Sequence, residues 1–310
     1  MKIFVTGGTG FLGKELVRRL QEDGHEVWGL ARSLESSNQI THLGAMPVKG
    51  SLEDISQWEH ALENMNVVVH CAALVSTWGP WRNFESQITQ ATIDLLAAAD
   101  RHGVGRFLYI SSESVMQNRT ELVDIDETFP CPVKPNSFYG QAKLLAEKAI
   151  LDYTGNMHCV ILRPTFIYGP NDNVSTTLHQ MVESGKFTWV DRGRHLIERV
   201  HVQNVVDSIS LALVRGQNKG VYLITDGAPT TVHEIFTEYA KRLGLDLPKK
   251  NIPSPVARMA ASIVELTWRV LRLPGTPPLN RFEVAFVSMP RRYRIDKARA
   301  ELGFQPKVPL

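Results

Sequence analysis

The chain has 310 residues, 43% of them hydrophobic and 21% charged, and its formal net charge is +2; this is enough apolar material for about one and a half to two compact domains. Lys and Arg are dispersed rather than clustered, which argues against nucleic-acid binding, and no run of about eighteen uncharged apolar residues exists to form a membrane-spanning helix. Three cysteines (Cys71, Cys131, Cys159) without CxxC spacing exclude a disulfide framework, and ten histidines without HExxH spacing predict no metal site.

In chain order, KIFVT (2–6) predicts a strand that follows directly on Met1 and leaves no room for a signal peptide; a reducing, cytoplasmic setting is the expectation. Residues 11–21 carry apolar positions at helical spacing, and 25–31 predict a second strand. A strand at 46–49, a helix near 54–62 and the strand VVVH ending at His70 come next. A long helix over 84–102 leads to the strand RFLYIS (106–111), and a helix over 138–153 leads to the strand HCVILR (158–163). These strands are continuous apolar runs rather than alternating ones, as in a parallel sheet buried on both faces. Repeated strand–helix–strand units of this kind predict an α/β fold with a doubly wound parallel sheet. After Arg163 the rhythm breaks at YGPNDN (168–173), and GVYLIT (220–225) is expected to return to the sheet. From Pro253 onward the pattern is helical and rich in Pro, Trp and Arg. Its most apolar stretch, 256–273, is interrupted by Arg258, Glu265 and Arg269.

Three motifs carry chemistry. TGGTGFLG (6–13) lies between the first strand and the first helix, with Gly7, Gly10 and Gly13 spaced G-x-x-G-x-x-G. Glycine lets backbone approach a pyrophosphate that the helix N-terminus then stabilises, so Gly7, Gly10, Phe11, Leu12 and Gly13 are expected cofactor contacts. YGQAK (139–143) puts Tyr139 and Lys143 on one helical face at i, i+4. A phenol with a pKa of about 10 exchanges protons poorly at neutral pH, and a neighbouring ammonium is expected to lower that value. Taken singly, this pair is common on surface helices. The third motif, ISSES (110–114), ends the strand beginning at Arg106, where open α/β sheets bind ligands. A hydroxyl there suits a substrate oxygen, although such serines also cap turns.

The order TGGTGFLG, HCAA (70–73), ISSESV, YGQAK and LRPTFIYGP (162–170) resembles an extended short-chain dehydrogenase/reductase over nearly the whole chain. The resemblance implies a dinucleotide-binding Rossmann domain over 1–163, joined by 200–225, and a smaller, mostly helical substrate-binding region over 164–310. It implies Tyr139 as general acid/base, Lys143 as pKa modulator and nicotinamide-ribose ligand, and Ser112 as the group polarising a substrate carbonyl. Ala72 and Ala73 match positions that line the cofactor, and Pro164 one near the nicotinamide; Ser51 and Leu52 stand where the adenine is contacted. Three positions depart from the family pattern: Ile88 replaces Asn, Ser51 replaces Asp and Met116 replaces Tyr. LVSTWGPW (74–81), ERVHVQNVVDS (198–208) and LRLPGTPPLNRF (271–282) resemble the 3β-hydroxysteroid dehydrogenase-like branch, and the last segment also resembles bacterial 2-alkyl-3-oxoalkanoate reductases. Both imply hydride exchange at a secondary alcohol or ketone on a large hydrophobic molecule.

The second strand ends in LARS (30–33), with no acid to hold a ribose 2′-hydroxyl. Arg32 and Ser33 instead suit a 2′-phosphate, so NADP(H) is expected over NAD(H). Trp78, Trp81 and Tyr168 are candidate substrate contacts. Met259, Ile263, Leu266, Trp268, Val270 and Leu271, with Phe282 and Phe286, are expected to help enclose an apolar substrate. Two alternatives remain open at this point. One is a nucleotide-sugar epimerase or dehydratase with bound NAD, for which Arg291, Arg292 and Arg294 would hold the diphosphate. The other is a non-catalytic NADP(H)-binding protein. A homodimer is compatible with the sequence.

Overall fold

The computed structural model describes residues 1–308. Seven parallel strands form the central sheet: β1 (Lys2–Thr6), β2 (Glu26–Ala31), β3 (Met46–Lys49), β4 (Val67–His70), β5 (Arg106–Ile110), β6 (His158–Pro164) and β7 (Gly220–Ile224). Their spatial order is β3-β2-β1-β4-β5-β6-β7. The order reverses between β1 and β4, where Thr6 pairs with His70, and a crevice opens beyond the strand ends at such a switch point. The helices α1 (Phe11–Glu22), α2 (Leu34–His42), α4 (Phe138–Asp152) and α6 (Val202–Arg215) connect or flank these strands. Helix α3 runs over 81–101 with a π-turn at Glu85–Gln90. β1, β4 and β5 are buried on both faces between two apolar clusters, which is why they carry no hydrophobic alternation.

The stretch 54–62 departs from the expected helix. It forms two 3-10 turns, Ile55–Gln57 and Glu59–Leu62, on either side of Trp58. The Trp58 ring stacks on Phe4 at 5.2 Å, and its indole N–H donates to the Ser51 carbonyl at 2.8 Å. Gly50 makes that insertion possible, since a Cβ there would collide with the indole. Burying one large ring outweighs continuing a marginal helix.

Beyond β6, helices α5 (Asn173–Glu183) and α7 (Val232–Leu243) share a separate cluster with Phe187, Trp189 and Ile197. Helices α8 (Ser254–Val270) and α9 (Arg281–Ser288) pack on each other through Ala257, Ala261 and Val284. The C-terminal segment then packs back onto the main core. Tyr293, Ile295, Ala298, Leu302 and Phe304 are all buried in the main core, and Arg291–Tyr293 pairs with Leu122–Ile125.

Two buried polar networks tie α3 and α4 to the sheet. Thr92 Oγ1 donates to the Ile88 carbonyl at 2.6 Å, so it must accept from His70 Nε2 at 3.0 Å. His70 Nδ1 then accepts from Thr6 Oγ1 at 2.7 Å. Burial pushes this imidazole down to about 3, so it stays neutral. The second network is ionic: Arg163 of β6 donates from Nε (3.0 Å) and NH2 (2.6 Å) to the Glu147 carboxylate of α4. Both side chains are almost wholly removed from water, at 6% and 1% exposure.

Arg163→Met is expected to cost about 3–5 kcal/mol, because it strands a buried carboxylate. The double variant Arg163→Met/Glu147→Leu should recover most of that loss. Denaturant melts of the three proteins check this; a single-variant loss below about 1 kcal/mol would mean that the pair is not holding α4.

Candidate active site

The glycine turn fits a dinucleotide cradle. Gly7 has φ +73°, and a Cβ built on it would lie 2.8 Å from the Ala72 amide nitrogen. A Cβ on Gly13 would collide with the Gly7 carbonyl, so α1 can start this close to β1 only with glycine there. Gly10 is the N-cap of α1, and no side chain caps it. The first-turn N–H groups are thereby left for an anion. Phe11 and Leu12 are half-buried on that turn. Ala72 donates its N–H to Thr6 Oγ1 at 3.3 Å, which ties the loop after β4 to the glycine turn.

At the far end of β2, Arg32 is exposed and forms no ion pair among the described residues. Ser33 is the N-cap of α2: its hydroxyl accepts from Ser36 N–H at 3.2 Å in a capping box. Its side chain is therefore partly committed to the helix. Ser51 is half-buried, and its hydroxyl accepts from Glu53 N–H at 3.2 Å. Leu52 packs against the cluster containing Trp58. Pro164 ends β6 in full burial, in register with Ile224.

Ser112 follows β5, and its side chain accepts from Ser114 N–H at 3.2 Å, capping the turn Glu113–Met116. Ser137 caps α4 by accepting from Gly140 N–H at 3.0 Å. Tyr139, Lys143 and Glu147 then fall on one face of α4 at i, i+4 and i+8. Gly140 lets this helix meet the serine turn: a Cβ there would lie 2.5 Å from the Ser114 carbonyl oxygen. Tyr139 consequently reaches Ser112, whose hydroxyl favours the phenolate.

The electrostatics differ from the sequence expectation. Burial pushes the Tyr139 phenol up to about 12 against the lowering influence of the Ser112 hydroxyl, and the Glu113 charge adds to the rise. Lys143 is 1% exposed and donates to the Ile110 carbonyl at 2.6 Å. Its ammonium lies 4.5 Å from the Tyr109 ring centroid and 5.9 Å from that of Tyr139. Desolvation draws Lys143 down to about 8, against the raising influence of Cys71 and Glu147. The lysine lies near the phenol, but desolvation, not its charge, sets the direction of the phenol's shift.

Glu113 is a feature that motif reading passed over. It is buried beside Ser112, where Tyr293 Oη (2.7 Å) and Gln117 Nε2 (2.6 Å) donate to its Oε2, and Arg291 NH1 lies 3.8 Å from Oε1. Two of its three partners, Tyr293 and Arg291, lie near the C-terminus, so no local pattern announces them. Ile88, at the π-turn, is buried with Phe84 and Ala142 next to Tyr139 and Ala73. It puts an aliphatic surface where the family pattern has an amide. Met116 is likewise fully buried in the main core.

A cleft of about 320 Å³ is lined by Trp78, Gly79, Pro80, Phe138 and Arg269. The Arg269 guanidinium sits 5.3 Å from the Trp78 ring and 5.7 Å from Phe138. Trp81 packs edge-on against Phe138 at 5.6 Å, behind this wall. Tyr168 is buried, donates to Asp226 at 3.1 Å and carries the Arg199 guanidinium 4.4 Å from its ring. The expected apolar enclosure by α8 is corrected: Met259, Ile263, Leu266, Val270 and Leu271 are all exposed. Glu265 fixes the helix's rotation by accepting from Arg281 N–H and Nε at 2.6 and 2.7 Å. That turns the small residues Ala257 and Ala261 inward. Phe286 packs on Phe166 at 5.4 Å.

Gly140→Ala is expected to lower turnover by at least about tenfold while the protein stays folded, because the new methyl separates Tyr139 from Ser112. Kinetics together with a melting curve check this; unchanged turnover would mean that the close approach is not needed.

A profile of the NAD dependent epimerase/dehydratase family matches residues 3–225. The chain is 34% identical over 310 residues to 4-hydroxy-2-methyl-3-oxo-4-farnesyl-3,4-dihydroquinoline-1-oxide ketoreductase of Stigmatella aurantiaca, covering 99% of this chain and 93% of that one. It is 30% identical over 325 residues to 2-alkyl-3-oxoalkanoate reductase of Stenotrophomonas maltophilia (strain K279a), covering 100% and 96%. The crystal structure of gox2253 superposes with a TM-score of 0.80 at 26% identity, covering 98% of this chain and 93% of that one. With the glycine cradle and the Ser–Tyr–Lys arrangement in place, the chain belongs to the NAD dependent epimerase/dehydratase family of extended short-chain dehydrogenases/reductases.

Proposed function

We propose that this protein is an NADP(H)-dependent ketoreductase acting on a ketone or β-keto acyl group of a bulky hydrophobic molecule. The observation that carries the reading is the convergence of Ser112, Tyr139 and Lys143 at the end of β5, with Phe138, the residue before Tyr139, lining an aromatic cleft. NADP(H), when bound, supplies the hydride. Gly7, Gly10 and Gly13 would admit its pyrophosphate, and Arg32 would pair with the 2′-phosphate. Ser112 orients the ketone oxygen. Tyr139 donates its phenolic proton to that oxygen, and a phenol held near 12 is protonated throughout the working range, as the reductive direction requires. Lys143 keeps two N–H donors beyond the Ile110 bond for a ribose, and its charge supports the phenolate left after proton transfer.

The cleft supports the substrate class. Trp78, Pro80 and Phe138 are apolar surfaces, and Arg269 is the single charged residue among its five lining residues, which suits an acyl or carboxyl group. The two named relatives act on a farnesylated quinoline oxide and a 2-alkyl-3-oxoalkanoate. The arginines that a sugar-nucleotide diphosphate would need are already engaged: Arg292 with Asp124, Arg294 with Asp126, and Arg291 with the Phe286 carbonyl and Glu113.

Two outcomes are expected. For kcat/KM of ketone reduction, which reports the free enzyme, activity should fall as pH rises through about 8, where Lys143 loses its proton. Tyr139→Phe should lose about 10²–10⁴-fold in turnover with cofactor affinity nearly unchanged. A flat profile to pH 10 (roughly two units beyond that titration), or a variant within a few-fold of wild type, would defeat these roles. Separately, Arg32→Asp should narrow or reverse the preference for NADP(H). Titrating both cofactors measures this, and equal affinity of the wild type for the two would exclude a phosphate clamp.

A further inference from the structure

Helix α8 wears its large side chains on the outside. Val256, Met259, Ile263, Leu266 and Val270 recur at intervals of three and four residues, which places them on one face. Their exposure runs from 46% at Val256 to 68% at Val270, and Leu271 continues the stripe at 63%. The opposite face, which meets α9, is built from Ala257, Ala261 and the Glu265 carboxylate. A helix that only covered a soluble core would have the reverse arrangement. Five large apolar side chains on one face, with Leu271 just past the helix end, make a patch rather than the scattered exposure normal on a monomer's surface.

The surroundings of the stripe identify what covers it. Between Lys249 and Gly275 there are five cations (Lys249, Lys250, Arg258, Arg269, Arg272) and one acid, Glu265. That acid is buried, held by Arg281 and 3.8 Å from the Arg269 guanidinium, so among the described residues it leaves Lys249, Lys250, Arg258 and Arg272 without an ion-pair partner. Lys249, Lys250, Arg269 and Arg272 are all exposed. An apolar stripe bordered by cations is complementary to an anionic bilayer surface, with side chains entering the acyl boundary and Lys or Arg meeting headgroup phosphates. A second copy of the same face would set these cations against each other. We propose that α8 docks this protein peripherally on anionic lipid bilayers, lying in the interface plane without crossing it. The stripe and its charges carry this inference whatever the substrate is. Because Arg269 also lines the cleft with Trp78 and Phe138, the docked helix is one wall of that cleft.

The test is flotation of the full chain with phosphatidylcholine vesicles and with vesicles of phosphatidylcholine mixed with phosphatidylglycerol. Binding to the mixed vesicles, weakened by added salt, is expected. Ile263→Asp/Leu266→Asp should lower the partition coefficient at least about a hundredfold, with an unchanged circular dichroism spectrum and NADPH affinity. Arg272→Glu should weaken binding to the mixed vesicles by about fivefold. Absence of wild-type binding to either vesicle, or equal binding by the double variant, overturns the proposal. So does a wild-type dimer, seen by light scattering, that the double variant converts to monomer without any vesicle binding: a second copy would then cover the stripe.

Discussion

The arrangement of the site depends on one buried ion pair. Glu147 and Arg163 are removed from water together, and each would be costly to bury without the other. Their bonds fix the rotation of α4 on β6, and the same helical face then carries Lys143 and Tyr139 one and two turns earlier. The strand end that receives the Lys143 ammonium is β5, the neighbour of β6 in the sheet. Tyr139, Lys143 and their anchor are thus set by one rigid helix on one rigid sheet rather than by loops, which suits a geometry that must hold to fractions of an ångström.

Burial brings competing consequences at this site. It raises the phenol and lowers the ammonium, favouring the uncharged form of each. In a solvated helix the i, i+4 lysine would simply favour the phenolate; here desolvation dominates, and Glu113 reinforces it. A tyrosine that stays protonated suits ketone reduction. The Glu113 carboxylate is held by Tyr293 and Gln117, so the C-terminal segment that completes the main core also contacts the residue next to Ser112.

Local patterns carried much of this organisation. Continuous apolar runs identify the parallel strands, because burial on both faces erases alternation, and the glycine spacing identifies the cradle, because backbone contact leaves no room for Cβ. What stayed illegible depends on distant partners. The Glu147–Arg163 pair spans 16 residues and the Glu113–Tyr293 bond 180, and nothing in either local sequence marks its partner. The segment 54–62 has helical composition, but Trp58 breaks it by reaching into the core. Helix α8 has the amphipathic spacing of a pocket wall, yet the Glu265–Arg281 anchor turns that face outward. Periodicity reveals that a face is apolar without saying which way it points.

Net reduction of a ketone by an external cofactor is the chemistry proposed for this site. Incubation with 4,4-dideuterated NADPH and a long-chain β-keto acyl substrate, followed by mass spectrometry of the product, tests it most directly. One deuterium on the new carbinol carbon and stoichiometric loss of NADPH are expected. Unlabelled product formed without net cofactor oxidation, as in redox-neutral epimerisation or dehydration, would contradict it.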